Sequence, residues 1–177
     1  MLTLIIGGVR SGKSTAAETI AAETGASVLH YIATSVPTDD EMNQRIRNHQ
    51  VKREAASEAW LTYEHSTNLL KAPIPKGAVI VLDCLTTWAA NEWMETSHDD
   101  IQPLISSIMG QIEKIHQHGK ELIIVSNDLF SDAISFSDSV QSYLSLMGGL
   151  HQKLVQGADT VIQMEFGQKR IRKGVRT

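Results

Sequence analysis

Leu2-Thr3-Leu4-Ile5-Ile6-Gly7-Gly8-Val9-Arg10-Ser11-Gly12-Lys13-Ser14 is the stretch that decides the fold. Its first five residues, almost wholly apolar, predict a buried strand over Leu2–Ile6. From Gly7 the chain matches G-x-x-x-x-G-K-[ST], the P-loop, placed as that motif must be, after a strand and at the start of a helix. Each part has a physical task. The glycines let successive backbone amides turn inward toward phosphate oxygens. The helix opening near Lys13 adds the positive end of its dipole. Lys13 brings a point charge for the β- and γ-phosphates, and the Ser14 hydroxyl is a hard oxygen suited to Mg²⁺. Gly7, Gly8, Val9, Arg10, Ser11, Gly12, Lys13 and Ser14 are therefore read as nucleotide-binding.

Outward from this stretch, short apolar runs alternate with amphipathic segments. Strands are expected at Val28–Ile32, Val79–Asp83 and Leu122–Ser126, with late strands at Thr160–Met164 and Ile171–Val175. Helices are expected at Lys13–Glu23, Asp39–Ala56, near Thr86–Met94, near Ile101–His118 and at Ser137–Val155. Strands rich in Ile, Val and Leu without alternation are buried on both faces. Repeated βα units then give an α/β fold, P-loop NTPase-like, with a mostly parallel sheet and flanking helices. The two late strands leave room for an antiparallel C-terminal edge. One domain over residues 1–177 is expected, with ligands at the carboxyl ends of the strands.

Composition narrows the class. The 177 residues are 42% hydrophobic and 20% charged, too apolar for a disordered chain. No apolar run approaches the roughly 20 residues of a spanning helix, and no secretory leader is visible, so no membrane insertion is expected. The one cysteine, Cys84, fits a reducing compartment, and the cytoplasm is the expected location. Net charge is −4, but Lys169, Arg170, Arg172, Lys173 and Arg176 crowd the last eleven positions. The other 166 residues hold 11 basic against 20 acidic residues, a net of −9, a poor surface for nucleic acid. The basic tail reads as a solvated end, with contact to nucleic acid or phosphate as the alternative.

Two further residues carry chemistry. Asp83 closes the apolar run Val79–Leu82 and emerges at the carboxyl end of a strand, where a P-loop protein places its second magnesium anchor; helix capping is the competing role. His49 shares a helix face with Met42, Ile46 and Arg53, at spacings of i, i+4, i+7 and i+11. A neutral imidazole there is a candidate nucleophile at phosphorus, with Arg53 one turn on as a holder of developing charge. A partly buried histidine at a helix–sheet contact remains open on spacing alone. Asp39 and Asp40 are weaker metal candidates, because Thr38-Asp39-Asp40-Glu41 reads as a capping box.

The order of these motifs resembles the bifunctional adenosylcobinamide kinase / adenosylcobinamide-phosphate guanylyltransferase family of cobalamin biosynthesis. The landmarks are Gly7–Ser14, Tyr31-Ile32-Ala33-Thr34-Ser35, Asp39–Met42 leading to Arg45, Ile46 and His49, Leu82-Asp83-Cys84-Leu85-Thr86-Thr87-Trp88 and Val125-Ser126-Asn127-Asp128. The resemblance implies phosphorylation of adenosylcobinamide with ATP or GTP, then transfer of GMP from GTP to the product through a GMP–histidine intermediate on His49. It also implies Mg²⁺, nucleotide contacts at Ala33, Thr34, Ser35, Gln50, Val51, Lys52, Arg53, Glu64 and Asp83, and a homotrimer with sites near subunit boundaries. Where the family often reads His-Arg-x-x-Arg-Pro, this chain reads His49-Gln50-Val51-Lys52-Arg53-Glu54, and a usual Asn-Gln pair is His151-Gln152. Residues 128–134 lack the family's glycine-rich loop. Two other readings stay open: another small-molecule P-loop kinase, and a degenerate nucleotide-binding paralogue without turnover.

Overall fold

The structure, a computed structural model, describes residues 1–35, 40, 44, 47, 50, 51, 53–96, 100–129 and 137–174. Seven strands form one sheet: β1 (Leu2–Gly7), β2 (Val28–Ala33), β3 (Ala59–Glu64), β4 (Val79–Asp83), β5 (Glu121–Asn127), β6 (Thr160–Glu165) and β7 (Gln168–Lys173). Their spatial order is β3-β2-β4-β5-β1-β6-β7. Every pairing is parallel except β6 with β7. The helices are α1 (Lys13–Ala22), α2 (Leu85–Met94), α3 (Gln102–His118) and α4 (Asp138–Gly157), with a 3₁₀ turn at Leu69–Lys71. Residues 40, 44, 47, 50, 51, 53 and 54 are helical, while Ala55 and Ala56 form a turn, two residues short of the expected end at Ala56; the rest of the expected Asp39–Ala56 helix lies outside the described residues.

Strict side-chain alternation along the central strands sorts the core into two layers. Leu4, Ile80, Leu82, Leu122 and Ile124 face α2, α3 and α4, packing with Trp88, Ile105, Ile108, Leu146 and Leu150. Ile5, Val79, Val81, Ile123 and Val125 face α1 through Ala16, Ala17, Ile20 and Ala21. The small alanines let α1 lie close over the sheet, which sets the start of that helix directly beyond the end of β1. Among the described residues no helix is long and apolar enough to cross a membrane.

Three details differ from the sequence reading. β3 was not anticipated: it is an edge strand bound on one side only, by β2, and mostly exposed, so it lacks the apolar run that marked its neighbours. β7 starts at Gln168 rather than Ile171, because Phe166 (φ 49) and Gly167 (φ 78) make a two-residue turn of the kind that matches strand twist. Lys169, Arg170, Arg172 and Lys173 thus lie on an edge strand with exposed side chains, in which Lys173 Nζ caps α4 by donating to the Val155 and Gln156 carbonyls at 2.9 Å each; Arg176 lies outside the described residues.

Candidate functional site

The loop from Gly7 to Gly12 joins β1 to α1 at the carboxyl edge of the sheet. Gly7 is packed so tightly that a Cβ would lie 2.3 Å from the Met164 carbonyl oxygen on β6. Gly12 has φ +90, a left-handed conformation that glycine adopts without a side-chain clash. α1 begins with no side chain capping its amides, which leaves the positive end of the helix aimed into the loop. Lys13 is 7% exposed, and its Nζ donates to the Gly8 carbonyl at 2.6 Å. The ammonium thus closes on its own loop, where a phosphate oxygen competes directly for its donors. The Ser11 hydroxyl is buried without a hydrogen-bond partner among the described residues. An uncapped helix start, a sequestered ammonium and an orphaned hydroxyl at one loop are what an anion site needs.

The same edge gathers most of the other candidates. Ala33 ends β2 in register with both Glu64 on β3 and Asp83 on β4. Glu64 is exposed and Ser35 half-buried. Thr34 is fully buried: its hydroxyl donates to the Cys84 carbonyl and accepts from the Cys84 amide, both at 2.9 Å. Asn91 on α2 ties this corner together by donating to the Thr34 and Ser66 carbonyls, each at 3.0 Å. β5 lies between β1 and β4, so Asp83 is separated by one strand from the strand that leads into the P-loop. Burial, then the adjacent Asp83 charge, push the Cys84 thiol pKa up. The Asp128 amide, one residue past the end of β5, donates to the Gly7 carbonyl at 2.9 Å, which ties that end of β5 to the P-loop.

Asp83 is itself held. The Tyr31 hydroxyl donates to its Oδ2 at 2.6 Å. Burial, then the adjacent Asp83 charge, push the Tyr31 pKa well above its ordinary value, so the phenol stays a donor. Arg53 lies 3.9 Å over the centre of the Tyr31 ring and pairs with Glu18 of α1 at 3.1 Å. The guanidinium is 6% exposed. Sequence reasoning put Arg53 beside a reacting phosphate; the structure occupies it with a carboxylate and a ring. Gln50 is half-buried and Val51 exposed, while His49 and Lys52 lie outside the described residues. Of the weaker metal candidates, Asp40 is exposed and Asp39 lies outside them.

Mg²⁺ takes few protein ligands, completing its shell with phosphate oxygens and water. Ser14, in the first turn of α1, and the second oxygen of Asp83 fit that modest demand. No cluster of three His, Cys, Asp or Glu side chains is present among the described residues, so the donor set does not suit a caged metal.

Sequence reasoning passed over one buried chain beside the site. His151 on α4 places Nε2 2.7 Å from the Ser126 hydroxyl, which lies 3.1 Å from the Thr86 hydroxyl; the latter accepts from the Asn127 amide at 2.8 Å. Burial lowers the His151 pKa, with Asp128 opposing. A lone histidine in an amphipathic helix gave no signal of this.

Comparison with known proteins turns the site into a family assignment. A family model described as cobinamide kinase / cobinamide phosphate guanyltransferase matches residues 3–170. The chain belongs to that family. It is similar to the bifunctional adenosylcobalamin biosynthesis protein CobP of Pseudomonas aeruginosa, 34% identical over 164 residues and covering 91% of each chain. It is also similar to the bifunctional adenosylcobalamin biosynthesis protein CobU of Escherichia coli, 30% identical over 91% of this chain and 93% of that one. Solved structures share the fold. The flagellar accessory protein FlaH of Methanocaldococcus jannaschii gives a TM-score of 0.51 at 18% identity, over 98% of this chain and 78% of that one. The RadB recombinase gives 0.52 at 18% identity, over 92% and 73%.

Proposed function

We propose that the protein carries out both reactions for which its family is named, at one nucleotide site. It phosphorylates the hydroxyl of adenosylcobinamide with ATP or GTP, then transfers GMP from GTP to that phosphate to give adenosylcobinamide-GDP. The observation that carries this reading is the P-loop of residues 7–14, with its buried Lys13 and orphaned Ser11 hydroxyl, on the same sheet edge as Asp83 in a chain that matches the family over residues 3–170.

The two reactions attack different phosphorus atoms of one triphosphate. In the first, a substrate hydroxyl oxygen attacks the γ-phosphorus, the bond to the β–γ bridging oxygen breaks, the nucleoside diphosphate leaves and the hydroxyl proton passes to solvent, while Lys13 and the loop amides spread the charge that develops. In the second, an imidazole nitrogen of His49 attacks the α-phosphorus. The bond to the α–β bridging oxygen breaks and pyrophosphate leaves. The corrinoid phosphate oxygen then attacks the same phosphorus, the P–N bond breaks, and the imidazole is restored. The P-loop can hold the departing pyrophosphate in the same cradle. Ser14 and Asp83 would hold Mg²⁺, which screens phosphate charge when bound. Ala33, Thr34, Ser35 and Glu64, at the ends of β2 and β3, are proposed to border the nucleoside. A homotrimer with sites near its subunit boundaries is part of the same proposal.

Product analysis tests it. With adenosylcobinamide, GTP and Mg²⁺, adenosylcobinamide phosphate should form first and adenosylcobinamide-GDP after it. Tight nucleotide binding without either product would leave a binding module, and phosphorylation without guanylylation would leave a kinase alone.

A further inference from the structure

Four side chains from four segments form one continuous chain that ends on the proposed metal anchor. Glu18 lies on α1, five residues after the P-loop lysine. It holds the Arg53 guanidinium at 3.1 Å. Arg53, from the helical stretch that includes residues 50, 51, 53 and 54, lies 3.9 Å over the Tyr31 ring on β2. Tyr31 donates to Asp83 Oδ2 on β4 at 2.6 Å. Tyr31 and Arg53 are 5% and 6% exposed, so the contacts are shielded from water. A further ring fixes the tyrosine from the side: Trp60 on β3 meets it edge-on, with centroids 6.1 Å apart.

We propose that Glu18, Arg53 and Tyr31 are positioning residues that hold the Asp83 carboxylate in the orientation needed to bind Mg²⁺ with the nucleotide. The inference rests on the reading of Asp83 as the metal anchor. The physical reason is entropic and directional. A carboxylate at a strand end rotates about two bonds, and Mg²⁺ demands near-ideal geometry from its few protein ligands. A hydroxyl fixed on one oxygen leaves the other presented in one direction, as the outer partners of metal ligands generally do. The phenol is a suitable donor because it carries its hydroxyl on a rigid ring. Its ring is locked in turn by a planar cation, whose geometry a lysine would not reproduce. The far end of the chain is on α1, so the helix that opens at the phosphate cradle also sets the metal ligand across β5.

The test measures GTP binding by calorimetry, first in EDTA and then across a Mg²⁺ titration. Tyr31→Phe keeps the ring and its stack but removes the hydroxyl. It should leave the metal-free GTP Kd within twofold and raise half-saturating Mg²⁺ about tenfold, the lower end of what outer-shell losses cost at metal sites. Glu18→Gln should shift half-saturating Mg²⁺ in the same direction, and the double variant should be no worse than Tyr31→Phe alone, because both act through one contact. Tyr31→Phe decides the question if Glu18→Gln does not fold. Asp83→Asn separates the two levels. If it raises half-saturating Mg²⁺ and Tyr31→Phe does not, the positioning chain is refuted and the anchor stands. If Asp83→Asn itself has no effect, the anchor reading fails and this inference falls with it. Additive shifts in the double variant refute the chain as a single unit.

Discussion

Gly7 and Gly8 open the same motif, yet packing demands glycine only at the first, and alanine at each should expose the difference. At Gly7 a Cβ would sit 2.3 Å from the Met164 carbonyl oxygen, 2.8 Å from Ser11 Oγ and 3.0 Å from Met164 Cβ. The first of these is backbone of β6, hydrogen-bonded in register with β1, and cannot swing aside as a side chain would. Overpacking of this kind costs about 1–3 kcal/mol, and a backbone clash belongs at the upper end. At Gly8 nothing lies within 4 Å of the added carbon, and no left-handed φ opposes it. There alanine should be neutral, or stabilising by about 0.4–1 kcal/mol through loss of freedom in the unfolded chain. Urea unfolding followed by circular dichroism separates the cases: Gly7→Ala should lower the unfolding free energy by about 3 kcal/mol, read as a lower midpoint with m unchanged. For a chain of this size each kcal/mol is worth about 2–4 °C in Tm. Equal midpoints for the two variants would refute the argument that Gly7 is fixed by packing against β6.

Other consequences follow from the same geometry. Lys13→Ala removes a charge-assisted donor worth about 1.5–3 kcal/mol, so GTP should bind roughly ten- to a hundredfold more weakly by calorimetry and phosphorylation should be suppressed; a wild-type phosphorylation rate would remove Lys13 from the mechanism. His151 should make stability pH-dependent. Its folded pKa is depressed by burial, so below the ordinary histidine value of about 6.5 the unfolded chain holds more protons than the folded one. Stability should therefore fall as pH drops through that window, by about 1.4 kcal/mol for each pH unit the window spans, and level off beneath it. His151→Asn should abolish this component in unfolding curves between pH 5 and 8, and parallel profiles for the two proteins would contradict it.

The sequence exposed the parts of the fold that are locally determined. β1, β2, β4 and β5 announce themselves as apolar runs because both faces of each are covered, and the P-loop is legible because a phosphate cradle constrains eight consecutive residues. β3 was missed because an edge strand needs no continuous apolar run; Trp60 and Tyr63 are half-buried while Leu61 is exposed. The start of β7 was misplaced because Phe166, not a usual turn residue, shares the positive-φ turn with Gly167. Within the site, Lys13, Ala33, Thr34, Glu64 and Asp83 do converge on one sheet edge. What sequence spacing could not reveal is where Arg53 points. Its partners, Glu18 and Tyr31, are 35 and 22 positions away, joined to it only by the way β2 and α1 pack. The Ser126–His151 contact escaped for the same reason: it pairs a strand end with a helix 25 residues later.

The account depends most on a covalent step at His49, and one measurement addresses it directly. The protein is incubated with GTP labelled at the α-phosphorus, denatured under alkaline conditions that preserve a P–N bond, and assayed for label on the chain. The wild-type protein should retain label, and His49→Ala should retain none while still converting adenosylcobinamide to its phosphate. Absence of label on the wild-type chain, or its persistence in folded His49→Ala, would contradict the two-step transfer.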